Sequence, residues 1–349
     1  MKIPNKIFSG YHGRCHCQGI AIDKKRGYIY YSFTTKLIKA DLTGNVIGSV
    51  DGLIGHLGCI SYCEADGRVS CSLEFKNDCI GTGILAKLGV TDAPVENAFY
   101  CAIFDVEKID RMEMDAERDG VMRAVYLPEV VEDFEAEITV GNDKLPHRYA
   151  CSGIDGISFG PHFGCRDGYV LNICYGVYGD TSRKDNDYQV ILSYDPHDWW
   201  DTVAKPLDVY AMSHSGAKSN ERYFIYTGST NWGIQNLEYD SYSGNWIAAV
   251  YPGSKPEFEN FSIFIIDGKV APSEKMHPVY CEKINVLTLS SSSHFPLGAT
   301  GVFSFGDGYF YFSEPGNDKE LGQYANIILY RATDDKLSDF TVANETYEY

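Results

Sequence analysis

The stretch from Cys17 to Val50, CQGIAIDKKRGYIYYSFTTKLIKADLTGNVIGSV, constrains the fold more than any other, because later segments repeat its plan. It splits into four short runs: a buried apolar run at 19 to 22, GYIYYSF at 27 to 33, an alternating KLIKADL at 36 to 42 and NVIGSV at 45 to 50. Lys24 to Gly27 and Thr43-Gly44-Asn45 supply the turns. Four antiparallel strands in series, of which only the first is apolar throughout, read as one blade of a β-propeller.

Four further segments align on this plan, each with a small or polar residue, an apolar inner strand, a tight turn and a second strand usually rich in tyrosine. The fold expected is therefore all-β: a five-bladed β-propeller of four-stranded antiparallel blades over residues 1–349. The blades fall at about 17–50, 57–127, 153–228, 233–290 and 299–343. The fourth blade takes FSIFIIDG and INVLTLS as outer strands, and the N-terminal KIFSG is placed to pair beside a short last strand near 339–343 and close the ring. Helix is expected only as decoration, in ILAKLG ending at Gly89 and in DRMEMDAERDG at 110–120. Trp199-Trp200 reads as a buried aromatic pair over the sheet rim, and the serines 290–293 read as loop.

Turns between first and second strands stay short, while longer connections accumulate at 76–97, 128–152, 177–187, 252–260, 291–298 and 315–325. In a propeller these emerge on one face, and long loops gathered on one face are where function is usually carried.

Thirty Lys and Arg against 48 Asp and Glu give a net charge of −18, a field that repels phosphate backbones and anionic lipid. Nucleic acid and membrane are therefore set aside as partners, and a small polar molecule is favoured. Eleven cysteines, many inside apolar strands, with no signal-peptide pattern at the start, are expected to be reduced thiols in a cytoplasmic protein.

The inner strands converge on a central channel, where the aligned positions are Gln18, Gly58, Asp155, Gln235 and Thr300. His16 and His56 lie two residues upstream of the first two, and Trp232 and Asn236 flank the fourth. Second strands are expected to deliver Thr34, Glu74, Tyr175, Tyr251 and Glu314 to the same face. Such a ring offers carboxylates, imidazoles and amides to one volume, as acid–base chemistry or recognition of sugar hydroxyls requires. Asp155 and Glu74 are the candidate catalytic acid and base. His16, Gln18, His56, Tyr175, Trp232, Gln235, Asn236, Tyr251, Thr300 and Glu314 are the candidate ligand-binding residues.

A divalent cation at the channel is conceivable but not favoured, because only His16 and His56 occupy equivalent positions and zinc needs three or four converging ligands. The loop GDTSRKDNDY at 179–188 lacks the glycine and terminal glutamate of a calcium loop and reads as a solvated turn. No nucleophile elbow, phosphate loop or dinucleotide fingerprint is present in the required context.

Cys17-Gln18-Gly19-Ile20 and Gln235-Asn236-Leu237-Glu238-Tyr239 resemble motifs of the plant-type glutaminyl cyclase (glutamine cyclotransferase) family, which has a five-bladed propeller. The resemblance implies that Gln18 matches that family's first-blade glutamine and Glu238 the second glutamate of its fourth-blade motif. The family's catalytic glutamate falls where this chain has Leu57-Gly58-Cys59, its fourth-blade asparagine is replaced by Gln235, and its lysine has no counterpart. Blade plan is thus implied, and cyclisation of N-terminal glutamine is not. Three functions stay open: an enzyme acting on a small polar substrate such as a carbohydrate, a non-catalytic metabolite- or protein-binding propeller, and a calcium-dependent lactonase or esterase like those on six-bladed propellers.

Overall fold

The structure, a computed structural model, describes every residue except Met1, Asp92, Pro94, Val95 and Arg166; three of these belong to the 76–97 connection. Strands hold 49% of the chain and helices 7%, arranged as a five-bladed β-propeller. The inner strands are Cys17–Asp23, His56–Cys63, Cys151–Gly160, Thr230–Asp240 and Val302–Ser304. Each pairs antiparallel with the strand that follows it.

Among the described residues five buried apolar clusters fill the five seams between neighbouring blades. The seam between the last blade and the first holds Ile7, Ile20, Tyr31, Tyr311 and Ile327, so the ring closes on a core like the others. Closure follows from shared edges: Lys6–Phe8 and Phe340–Val342 both pair with Gly322–Ala332. Each buried apolar side chain of that size contributes about 1.5–3 kcal/mol.

Several expectations need correction. INVLTLS is divided: Lys283–Val286 runs parallel to the outer strand of the third blade, Glu221–Tyr226, and only Leu289–Ser293 completes the fourth. The serine cluster is consequently strand. The 110–120 segment is not helical; Met114–Asp115 adds a short parallel pairing to the first blade. Tyr309–Asp318 and Gly322–Ala332 continue as one long hairpin, so 315–325 is mostly strand rather than loop. Of the tryptophan pair, Trp199 is buried, whereas Trp200 is half-buried with the guanidinium groups of Arg68 and Arg123 packed over its ring.

Helix α1, Cys79–Leu88, forms as expected, with the Asp78 carboxylate accepting from the Ile80 and Gly81 amides and Gly89 ending it in the left-handed conformation. A side chain at Gly81 would overlap the Lys76 carbonyl, which lets α1 sit directly against the end of the second blade's second strand. A second helix, α2 at Pro128–Glu135, was not anticipated. Among the described residues no helix is long and apolar enough to cross a membrane.

Candidate functional site

The first four inner strands break register at the same height. Gln18 has no partner between the pairs Cys17–Phe33 and Gly19–Ser32, and Gln235 has none between Ile234–Val250 and Asn236–Ala249. Gly58-Cys59 and Asp155-Gly156 occupy the equivalent irregularities. A bulge re-aims the extra residue away from the strict alternation of a strand, and here it turns Gln18, Asp155 and Gln235 toward the channel. Gly58 adds no side chain, and a Cβ there would press on Asp155 Oδ1 and the Ser72 hydroxyl.

Above this ring opens a cavity of about 520 Å³. It is lined by His16, Gln18, Thr34, His56, Glu74, Asp155, Trp232, Gln235 and Tyr251 from the blades, with Lys76 and α1 along one side. Eight of the twelve sequence-selected residues therefore share one wall.

The other four do not. Tyr175 is fully buried and gives its hydroxyl to Asp133 of α2 at 2.8 Å. Register explains the error: Glu74 pairs with His56, two residues before Gly58, so the third-blade equivalent is the partner of Gly153, which is Gly176 rather than Tyr175. Glu314 is exposed and faces Asn326 of its own hairpin. Asn236 lies deeper, donating to the Gln18 and Ala299 carbonyls and accepting from Cys59, so it ties its own blade to three others below the cavity. Thr300 donates to the Ser313 carbonyl at 3.0 Å and lines a neighbouring cavity.

A chain of charges runs under the floor. Lys76 Nζ lies 2.7 Å from Glu74 Oε1 and 3.6 Å from Asp78, and donates to the Ser152 carbonyl. The same Glu74 oxygen is 3.3 Å from His56 Nδ1, which is 3.7 Å from Asp155 Oδ1. Glu74 Oε2 accepts from the Ile154 amide. Both Glu74 oxygens are thus occupied in a side chain only 2% exposed, which argues against Glu74 as a free base and makes it the group that fixes His56 and Lys76.

Burial disfavours the charged form of each group, and the neighbours decide the outcome. For Glu74 the Lys76 charge and the His56 contact prevail and lower its pKa. For Lys76 the charges of Glu74 and Asp78 prevail and raise it, and for His56 the Glu74 contact and the Asp155 charge do the same. Asp155 ends differently: burial, reinforced by Glu74, outweighs His56 and pushes its carboxyl up to about 7. His16 is pushed down to about 4 by burial and by the charges of His56 and Lys87, and is neutral at physiological pH.

Gln18 Nε2 lies 3.0 Å from His56 Nε2 and donates to Thr34 Oγ1. A His56 whose protonated form is favoured by Glu74 and Asp155 meets the Gln18 amide through its oxygen, with the amide flipped. Gln235 Nε2 bridges Asp155 Oδ2 at 3.0 Å and the Trp232 carbonyl at 2.9 Å. That carbonyl is oriented by a left-handed Trp232, φ 68°, a costly conformation for a bulky residue that clusters at functional sites. Residue 178 supports the wall from the 177–187 connection, its ring against Trp232 and its hydroxyl on Asp78.

Sequence reasoning passed over Lys76 and read α1 as decoration rather than as a wall of the cavity. A lysine directly after a strand phenylalanine and two residues before an N-cap aspartate was the available signal. The loop 179–188 is not solvated as expected: Asp185 is fully buried, holding Arg183 through two bonds of 2.9 and 2.6 Å. Glu238 lies toward the opposite opening of the channel, accepting from the Ser304 amide and raised to about 8 by burial. Among the described residues no group of three or more His, Cys, Asp or Glu is arranged to hold a metal ion.

No family model matches this sequence, and no curated protein matches it. Solved structures similar to it include the Dos1 propeller, at 10% identity over 87% of this chain with a TM-score of 0.38. This chain spans 56% of that one's length. The soluble aldose sugar dehydrogenase of Escherichia coli matches at 10% identity, 93% of this chain and 99% of that one, TM-score 0.35. A calcium-binding protein, regucalcin, from Agrobacterium tumefaciens matches at 11% identity, 93% and 95%, TM-score 0.36. Values this low assign neither substrate nor reaction to this chain.

Proposed function

We propose that the channel mouth is the active site of an enzyme that acts on a small polar substrate, with hydroxyl groups such as a carbohydrate presents, by proton transfer through Asp155. The supporting observation is the asymmetry of the floor: Glu74, Lys76 and Asp78 satisfy one another, while the Asp155 carboxyl, aimed into the cavity by a bulge, has Gln235 as its one hydrogen-bond partner among the described residues. A carboxyl that titrates near neutrality can both give and take a proton at working pH. The neutral imidazole of His16 faces the same volume as a proton acceptor, and Trp232 and Tyr251 offer flat faces to a ring. One free carboxyl beside a fixed imidazole suits an elimination or a hydrolysis in which Asp155 protonates the leaving oxygen.

A second reading, binding without turnover, is favoured by the saturation of Glu74, which leaves no second free carboxylate in the cavity lining among the described residues. Screening glycosides, lactones and hydroxy acids with the wild type and Asp155→Asn separates the two. Turnover that falls about 100-fold or more in the variant, with no loss of melting temperature, supports the enzyme. Turnover that survives the substitution removes Asp155 from the chemistry, and binding without turnover in the wild type establishes the second reading.

A further inference from the structure

Beside the polar mouth lies a second cavity of about 640 Å³, walled by Val250, Pro252, Phe295, Leu297, Ala299 and Pro315. His16 and Tyr251 line both cavities, so the two volumes meet across those side chains. Its polar lining is limited to His16, Tyr251, Ser262, His294, Thr300 and Gln323, and among the described residues it contains no Asp, Glu, Lys or Arg, although these make up 22% of the chain. A cationic occupant would therefore find no carboxylate there and an anionic one no Lys or Arg, and burying a charge without such a partner is costly.

The walls are prebuilt. The Phe295 ring is buried edge-on against Phe312 and Tyr330, and its backbone is held at both polar atoms by the Ser262 hydroxyl, at 2.8 and 2.6 Å. Proline at 252, 296 and 315 further limits how far the rim can collapse. An apolar volume that stays open beside a polar one suits a single molecule with two unlike parts.

We infer that the ligand of this site is bipartite: a hydroxyl-bearing polar part at Asp155 and Gln235, joined to an uncharged aryl or alkyl substituent seated against Leu297 and Phe295. This rests on the reading of the mouth as a site for a small polar molecule. The linkage between the two parts would lie beside His16 and Tyr251.

The test is calorimetric titration of the full chain with methyl and phenyl glycosides of glucose, galactose, mannose and xylose, reading the phenyl-to-methyl affinity ratio. Burial of one ring against these walls should make the phenyl compound about tenfold tighter for any sugar that binds. Leu297→Asp should remove that gain and leave the methyl glycoside unchanged. Pro296→Asp, at an exposed position of the same wall, should do likewise and guards against a folding defect in the first variant. A ratio near one for every sugar that binds, or a ratio that survives both variants, overturns the bipartite ligand while leaving the mouth as a polar site. Failure of the whole panel to bind overturns both.

Discussion

Two buried charge clusters of similar make-up sit near the same face of the propeller and end in opposite states. At the rim, Asp185 is matched on both oxygens by Arg183 and again by the Tyr280 hydroxyl, and Arg183 also donates to the Pro146 and His147 carbonyls. Lys255 completes it through the Arg183 carbonyl, Asn186 and Asp187. This cluster ties the 177–187 and 252–260 connections to the 273–286 hairpin. At the channel, Glu74 and Lys76 are equally well matched, but the series stops at Asp155, which faces a cavity and has the His56 imidazole no nearer than 3.7 Å. A closed cluster holds structure, whereas an open one keeps a proton in play.

The largest expected effect tests that contrast directly. Asp155→Asn should lower turnover by about two to four orders of magnitude with no loss of stability, because the amide oxygen can still accept from Gln235 and no charge is left to bury. Asp185→Asn should do the reverse, lowering stability by about 3 kcal/mol in a urea titration, because Arg183 is left buried without its counter-charge. Activity loss from the rim variant at full folding, or unfolding of the channel variant, would erase the distinction.

Acid dependence should separate the two clusters by sign. The Asp155 carboxyl, raised to about 7 in the fold against about 3.9 when unfolded, keeps a proton that the unfolded chain has released between those values. Its burial therefore lowers stability progressively as pH rises from about 4 to about 7, and Asp155→Asn should flatten that part of the melting curve. Asp185 is lowered: burial opposes its charge, but the Arg183 and Tyr280 contacts prevail. Its contribution is present above about 3.9 and lost as pH falls through the lower folded value, so Asp185→Asn should flatten the acid limb.

The smallest effect is a difference in thiol protection. All eleven cysteines are free, and Cys79, Cys165 and Cys281 are exposed. Denatured protein should titrate close to eleven thiols and native protein about three fast ones. Cys79 lines the channel mouth, while Cys281 follows Tyr280 at the rim. A bound ligand should slow alkylation of Cys79 several-fold and leave Cys281 unchanged, as mass spectrometry of the labelled peptides would show.

The blade plan was legible because it is written locally. Alternation of side chains, turn glycines and tyrosine-rich second strands each act over a few residues, and their repetition along the chain is a property of the sequence alone. The inner ring was legible in part for the same reason, since Gln18-Gly19 and Asp155-Gly156 each set a polar residue before a glycine where a neighbouring backbone crowds. What only the tertiary structure decided was register and partner. A bulge shifts alternation by one residue, which sent Tyr175 to α2 and left Gly176 facing the channel, and no local pattern announces it. The exchange of Lys283–Val286 into the third blade, the burial of Asp185 and the joining of Lys76 to Glu74 all depend on segments far apart in sequence. Sequence supplied the groups that could carry a proton, and packing decided that Asp155 would be the one left facing open space.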